Sequence, residues 1–104
     1  MANYLLVFHG GRMPESQEEG AKVMQAWTDW FGVLGDKVID QRNPVSQVKT
    51  IATNGSVSDG GVNASSGYTI IKADNLDSAV ALAKGCPVLQ GGASVEVAET
   101  FEVM

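Results

Sequence analysis

Cysteine and histidine each occur once in the 104 residues, at Cys86 and His9. A lone cysteine cannot close an internal disulfide, which fits a reducing cytoplasm. One histidine and one cysteine without ligand spacing give no metal signature, and no cofactor is expected. Basic residues are also few: 7 Lys and Arg against 12 Asp and Glu leave a net charge of −5. A surface biased this way repels phosphate backbones and anionic lipid, so neither nucleic acid nor a membrane is an expected partner. No apolar run approaches the ~18 residues of a membrane span. The opening "MANYLLVFHGG" has no basic flank, and its apolar run of five residues is too short for a secretion signal. The expected location is the cytoplasm. The two Asn-x-Ser sequons, at Asn54 and Asn63, are then chance matches.

What is present is enough for one domain with a real core. The length suits a single unit, and 44% of the residues are hydrophobic. "YLLVFH", residues 4 to 9, is rich in strand formers. Tyr4, Leu6 and Phe8 face one way, and Leu5, Val7 and His9 the other. Both faces are apolar, so this strand should be covered on both sides.

A helix is predicted from Ser16, where "SQEE" forms a capping box between Ser16 and Glu19. Val23, Trp27, Trp30, Phe31 and Leu34 make one apolar stripe, and Gly35 supplies a left-handed stop. "KVID" reads either as a short strand or as an extended link, and Pro44 disfavours a central strand. "VKTIAT", 48 to 53, reads as a strand. Asn54-Gly55 favours a type I′ turn, pairing 50–53 with 56–58. A glycine-rich loop follows, then the strand "YTIIKA", 68 to 73. A second helix is capped by Asp74 or Asn75, buries Leu76, Ala79, Val80 and Ala83, and ends at Lys84, Gly85 and Pro87. The final "ASVEVAETFEV" alternates as a long strand with one wet face.

This order predicts an α+β fold of the ferredoxin-like βαββαβ type. Two helices would cover one face of a four-stranded antiparallel sheet. Strands one and three then lie in the middle, and the second apolar face of the first strand has nothing within the chain to bury it. An exposed patch of that kind argues for a homodimer joined sheet to sheet.

"YLLVFHG", the helix with "AWTDWFGVLGDKVID", and "VSDGG…GYTIIKADNLDSAVALAKGCP…GGASVEV" together resemble the YCII-related family, in particular its DGPF-type branch. The resemblance runs over nearly the whole chain. It implies a dimeric α+β barrel of two ferredoxin-like chains, with small-molecule chemistry in a cleft beside the sheet, including dehalogenation-type reactions on aromatic rings. The signature Asp-Gly-Pro-Phe stands here as Asp59-Gly60-Gly61-Val62, so only Asp59 and Gly60 map. YCII-type relatives carry a histidine in the first helix and an aspartate before the proline after the second. This chain has no histidine in that helix, and Cys86 precedes Pro87.

His9 is the one side chain with an unperturbed pKa near neutrality. It reads either as a general acid/base or as a strand-end histidine bonded to backbone. Asp59 would orient His9 or bind a ligand, or else serve as an ordinary turn residue. In the split βαβ sheet the start of the third strand lies level with the end of the first, which predicts Asp59 in a tight turn within reach of His9. Arg12, Gly60 and Tyr68 are the candidate ligand contacts. Arg12 would attract an anion, Gly60 permits close backbone approach, and Tyr68 begins the third strand beside His9. The loop is no phosphate cradle, because the required Lys and Ser/Thr are missing. Trp27 and Trp30 read as core before pocket, and Cys86 as structural. A small-molecule enzyme or binding protein and a non-catalytic dimeric domain both remain open.

Overall fold

The computed structural model describes residues 2–11, 15–60 and 64–101. Its elements run β1 (Ala2–Gly10), α1 (Gln17–Leu34), β2 (Val38–Pro44), β3 (Lys49–Ile51), β4 (Val57–Asp59), β5 (Ser65–Ala73), α2 (Leu76–Ala83) and β6 (Ala93–Glu99). A 3₁₀ turn follows each helix, at Gly35–Lys37 and Pro87–Gly91. The main sheet has the order β2-β5-β1-β6, with every neighbouring pair antiparallel. This is an α+β fold whose strand order is that of the ferredoxin-like arrangement.

The alternation read from "YLLVFH" holds. Tyr4, Leu6 and Phe8 are buried, while Leu5, Val7 and His9 are half-buried on the opposite face. Beneath the first set lie Trp27, Trp30 and Leu34 of α1, with Ala79 and Ala83 of α2. Both helices therefore cover one side of the sheet. Ser16 caps α1 by accepting from the Glu19 amide at 3.1 Å. Glu19 returns its carboxylate to the Glu15 amide, one residue before the cap. Gly35 ends the helix at φ 59°, ψ −126°, which only glycine adopts without strain.

The second strand of the sheet is 38–44, the segment that read as strand or link. Pro44 sits at its very end, on an edge strand, where a missing N–H breaks no inner ladder. The residues that read as a sheet strand, 48–53, instead form β3, which pairs only with β4 in a separate two-stranded ribbon. Its turn is not type I′. That turn needs positive φ at both central residues, and among the described residues only glycines have positive φ. The Ala52 amide donates to the Ser56 carbonyl, the Gly55 amide donates to the Ala52 carbonyl, and Gly55 alone has φ 90°. Asn54 contributes through its side chain, whose Oδ1 accepts from the Ser56 amide at 3.0 Å.

Of the two candidate caps of α2 it is Asn75 that serves, accepting from the Ser78 amide at 2.8 Å. Two further readings change. The buried face of α2 is Ala79, Leu82 and Ala83, continued by Cys86; Leu76 and Val80 are exposed. Small residues on that face let the short helix lie close to the sheet. Strand β6 stops at Glu99, and the Thr100 amide and hydroxyl both donate to the Asn3 carbonyl just beyond it. Phe101 is left exposed, and the expected strand end at Val103 lies outside the described residues.

Candidate functional site

The open face of the sheet is built from alternate residues of its two central strands. Antiparallel pairing sets Leu5 opposite Ile70 and Val7 opposite Tyr68. All four side chains are half-buried, on the face opposite the two described helices. On the other side of β1, Leu5 faces Ala98 and Val7 faces Glu96. The result is an apolar centre with Asn3, Lys72, Glu96 and Asp40 at its margins.

His9 ends this face. The β1–β5 register slips between Phe8 and His9, so that His9 pairs with Ser65. Its Nε2 lies 3.5 Å from Glu96 Oε1, and the imidazole side chain is 29% exposed. Glu96 was not among the residues singled out from the sequence. The alternation of β6 puts it on the wet face, but its place beside His9 depends on a cross-strand register that a sequence does not specify.

Asp59 is held elsewhere. It is the last residue of β4, a ladder position rather than a tight turn, and faces Lys49 across the ribbon. Lys49 Nζ donates to Asp59 Oδ1, and the Asp59 side chain is 87% exposed. The partner of Asp59 is thus Lys49, not His9. Gly60 has a packing role. A Cβ there would sit 2.7 Å from Val48 Cγ1 and 2.8 Å from Ala64 Cβ, and its amide donates to the Val48 carbonyl. Close approach is the right reason for this glycine, and the partner it approaches is its own chain. Tyr68 lies on the open face opposite Val7. Arg12, Gly61 and Val62 lie outside the described residues.

The two tryptophans are core. Trp27 stacks edge-on against Phe8 and Trp30, with centroids 5.7 and 5.6 Å apart. Trp30 Nε1 donates to the Leu82 carbonyl at 3.1 Å and so ties α1 to α2. Gly85 makes room, since a Cβ there would lie 3.2 Å from Trp30 Cδ1. Burial pushes the Cys86 thiol up to about 11, the setting of an inert thiol. Tyr4 donates to Glu99 Oε1 at 2.7 Å, and this bond, with burial, raises its pKa to about 12.

Two grooves lie on the helix side. One, of about 430 Å³, runs between Trp30, Val33, Leu82 and Pro87; the other is bounded by Lys37, Asp74 and Ser78. Neither contains His9 or Asp59. Among the described residues no three His, Cys, Asp or Glu side chains converge, and no helix is long and apolar enough to cross a membrane. Compared with known proteins, the chain matches no family model and no curated protein.

Proposed function

We propose that this chain acts as a self-associating domain in which the open sheet faces of two copies pack together, in the manner of a dimeric α+β barrel. The observation that carries the reading is the apolar centre formed by Leu5, Val7, Tyr68 and Ile70, on the face of the sheet opposite both described helices. A sheet needs both faces protected when both are apolar, and the helices protect one. The resemblance to the YCII-related family supports the same arrangement. At micromolar concentration, sedimentation should give twice the 10.9 kDa chain mass. Val7→Asp should give the single-chain mass, because an unpaired carboxylate in a desolvated interface is strongly unfavourable. A wild-type protein that stays monomeric at high concentration would remove the reading.

A second reading, small-molecule binding or turnover in the space between the packed faces, is favoured by the His9–Glu96 pair at the end of the apolar centre. An imidazole beside a carboxylate can hold and pass a proton to a bound ligand. Native mass spectrometry of the purified protein should then show a retained small molecule that is lost on His9→Ala. A bare wild-type dimer would leave association as the whole of the proposal.

A further inference from the structure

The β3–β4 ribbon is amphipathic and uncovered. Ile51 pairs with Val57 on one side, with the Lys49–Asp59 ion pair next to them, while Thr50 and Ser58 pair on the other. Ile51 is 72% exposed and Val57 62%. A two-stranded ribbon with three residues per strand is marginal in water unless its apolar side rests on something. Yet its base is built for order. The Gly60 amide bonds to the Val48 carbonyl, Gly60 is packed against Val48 and Ala64, and Asn54 and Gly55 fix the turn. All six strand residues of the ribbon are exposed. The radius of gyration is 15.0 Å, against ~13 Å for a compact chain of this length.

Its position relates it to the open face. The ribbon springs from between the end of β2 and the start of β5, and there Pro44 pairs with Gly67 and Ser65 with His9. That is the same end of the sheet on which His9 lies. The face alone is a small interface. Four strands at ~4.8 Å spacing and seven to nine residues at ~3.3 Å rise give roughly 500 Å² of flat area. Side-chain relief makes its accessible area somewhat larger, at the low end of the roughly 600–1,000 Å² that a stable pair buries on each partner.

Resting on the self-association proposed above, we infer that the β3–β4 ribbon is a clasp, and that Ile51 and Val57 of each copy lie on the second copy of this chain beyond the edge of the paired sheets. Packed sheets stand ~10 Å apart. Ile51 and Val57 stand two residues beyond Lys49 and Asp59 at the ribbon's base, roughly 7 Å, so that each with its side chain spans that gap and meets the second copy. The clasp supplies the apolar area that the sheet face lacks, and the second copy supplies the surface that the ribbon lacks.

The test compares three proteins by sedimentation equilibrium: wild type, Val7→Asp, and the double variant Ile51→Thr with Val57→Thr. Threonine keeps the β preference of the ribbon while placing hydroxyls where apolar contacts are expected. The double variant should dimerise with a Kd raised at least ~10-fold, because each copy loses two apolar contacts that association takes out of water. Hydrogen exchange provides a readout independent of any substitution. Wild-type amides at 49–59 should exchange more slowly well above the dimer Kd than below it. A wild-type dimer whose Kd is unchanged by the double variant, with ribbon exchange independent of concentration, overturns the clasp and leaves the face-to-face reading intact. The ribbon would then belong to a different partner or to none. A monomeric wild type overturns both.

Discussion

Trp27→Ala is expected to destabilise the fold by about 3–5 kcal/mol, measured by chemical denaturation, as emptying a large aromatic site generally does. Trp27 is 4% exposed and joins the helix layer to two strands of the sheet. It meets Phe8 of the central strand at 5.7 Å, and Trp30 and Phe31 of its own helix at 5.6 and 5.5 Å. On the far side the Arg42 guanidinium from the edge strand lies 4.7 Å over its ring. Alanine would leave a void bounded by ring edges that cannot collapse without moving both the helix and the sheet. It would also leave Arg42 without its ring face, a contact worth ~0.5–1 kcal/mol at a partly exposed site. A loss under about 1 kcal/mol would show that Trp27 is not the pivot of the core.

Thr69→Val is expected to stabilise the protein by about 1–2 kcal/mol, the reverse of the usual sign for a core substitution. Thr69 is fully buried on the helix side of β5, opposite Leu6. Its Oγ1 finds no hydrogen-bond partner among the described residues. A hydroxyl taken out of water without a partner is a standing penalty of about 1–3 kcal/mol. Valine has nearly the same shape and equal β preference, so it removes the penalty while keeping the packing. A rise in denaturation midpoint at unchanged slope is the expected result. A fall would mean that the hydroxyl is satisfied by a buried water.

The parts of the fold written in local pattern were legible. Period-two alternation marked β1, and the Val23-to-Leu34 stripe with its Ser16 cap marked α1. What escaped was set by partners distant in sequence. Nothing local says that 38–44 joins the sheet while 49–51 leaves it, because both are short and β-prone; pairing with β5 decides. Likewise Leu76 and Val80 looked buried because the larger apolar residues were assumed to face inward. The sheet instead receives the alanine side of α2, where a close approach is possible. At the site, topology correctly set the start of β5 beside the end of β1, but β5 begins at Ser65, which pairs with His9, and Tyr68 lies opposite Val7. The hairpin before that point was legible from Asn54-Gly55, but not that it stands apart from the sheet, or that Lys49 holds Asp59 there. The second member of the His9 pair, Glu96, came from the opposite neighbour of the strand.

The central place of β1 also has a consequence for synthesis of the chain. Ala2 pairs with Ala73, and Tyr4 with Glu99, so both neighbours of the first strand are made long after it. At ~5–20 residues per second, β1 waits roughly 4–14 s for β5 and longer for β6. During that interval a strand apolar on both faces has no hydrogen-bonded neighbour, while α1 is already available to shelter only its Tyr4, Leu6 and Phe8 side. Leu5 and Val7 stay bare, and two nascent chains on one message carry the same bare edge. The nascent protein is therefore most exposed to chaperone capture, or to premature pairing with a sister chain, at β1.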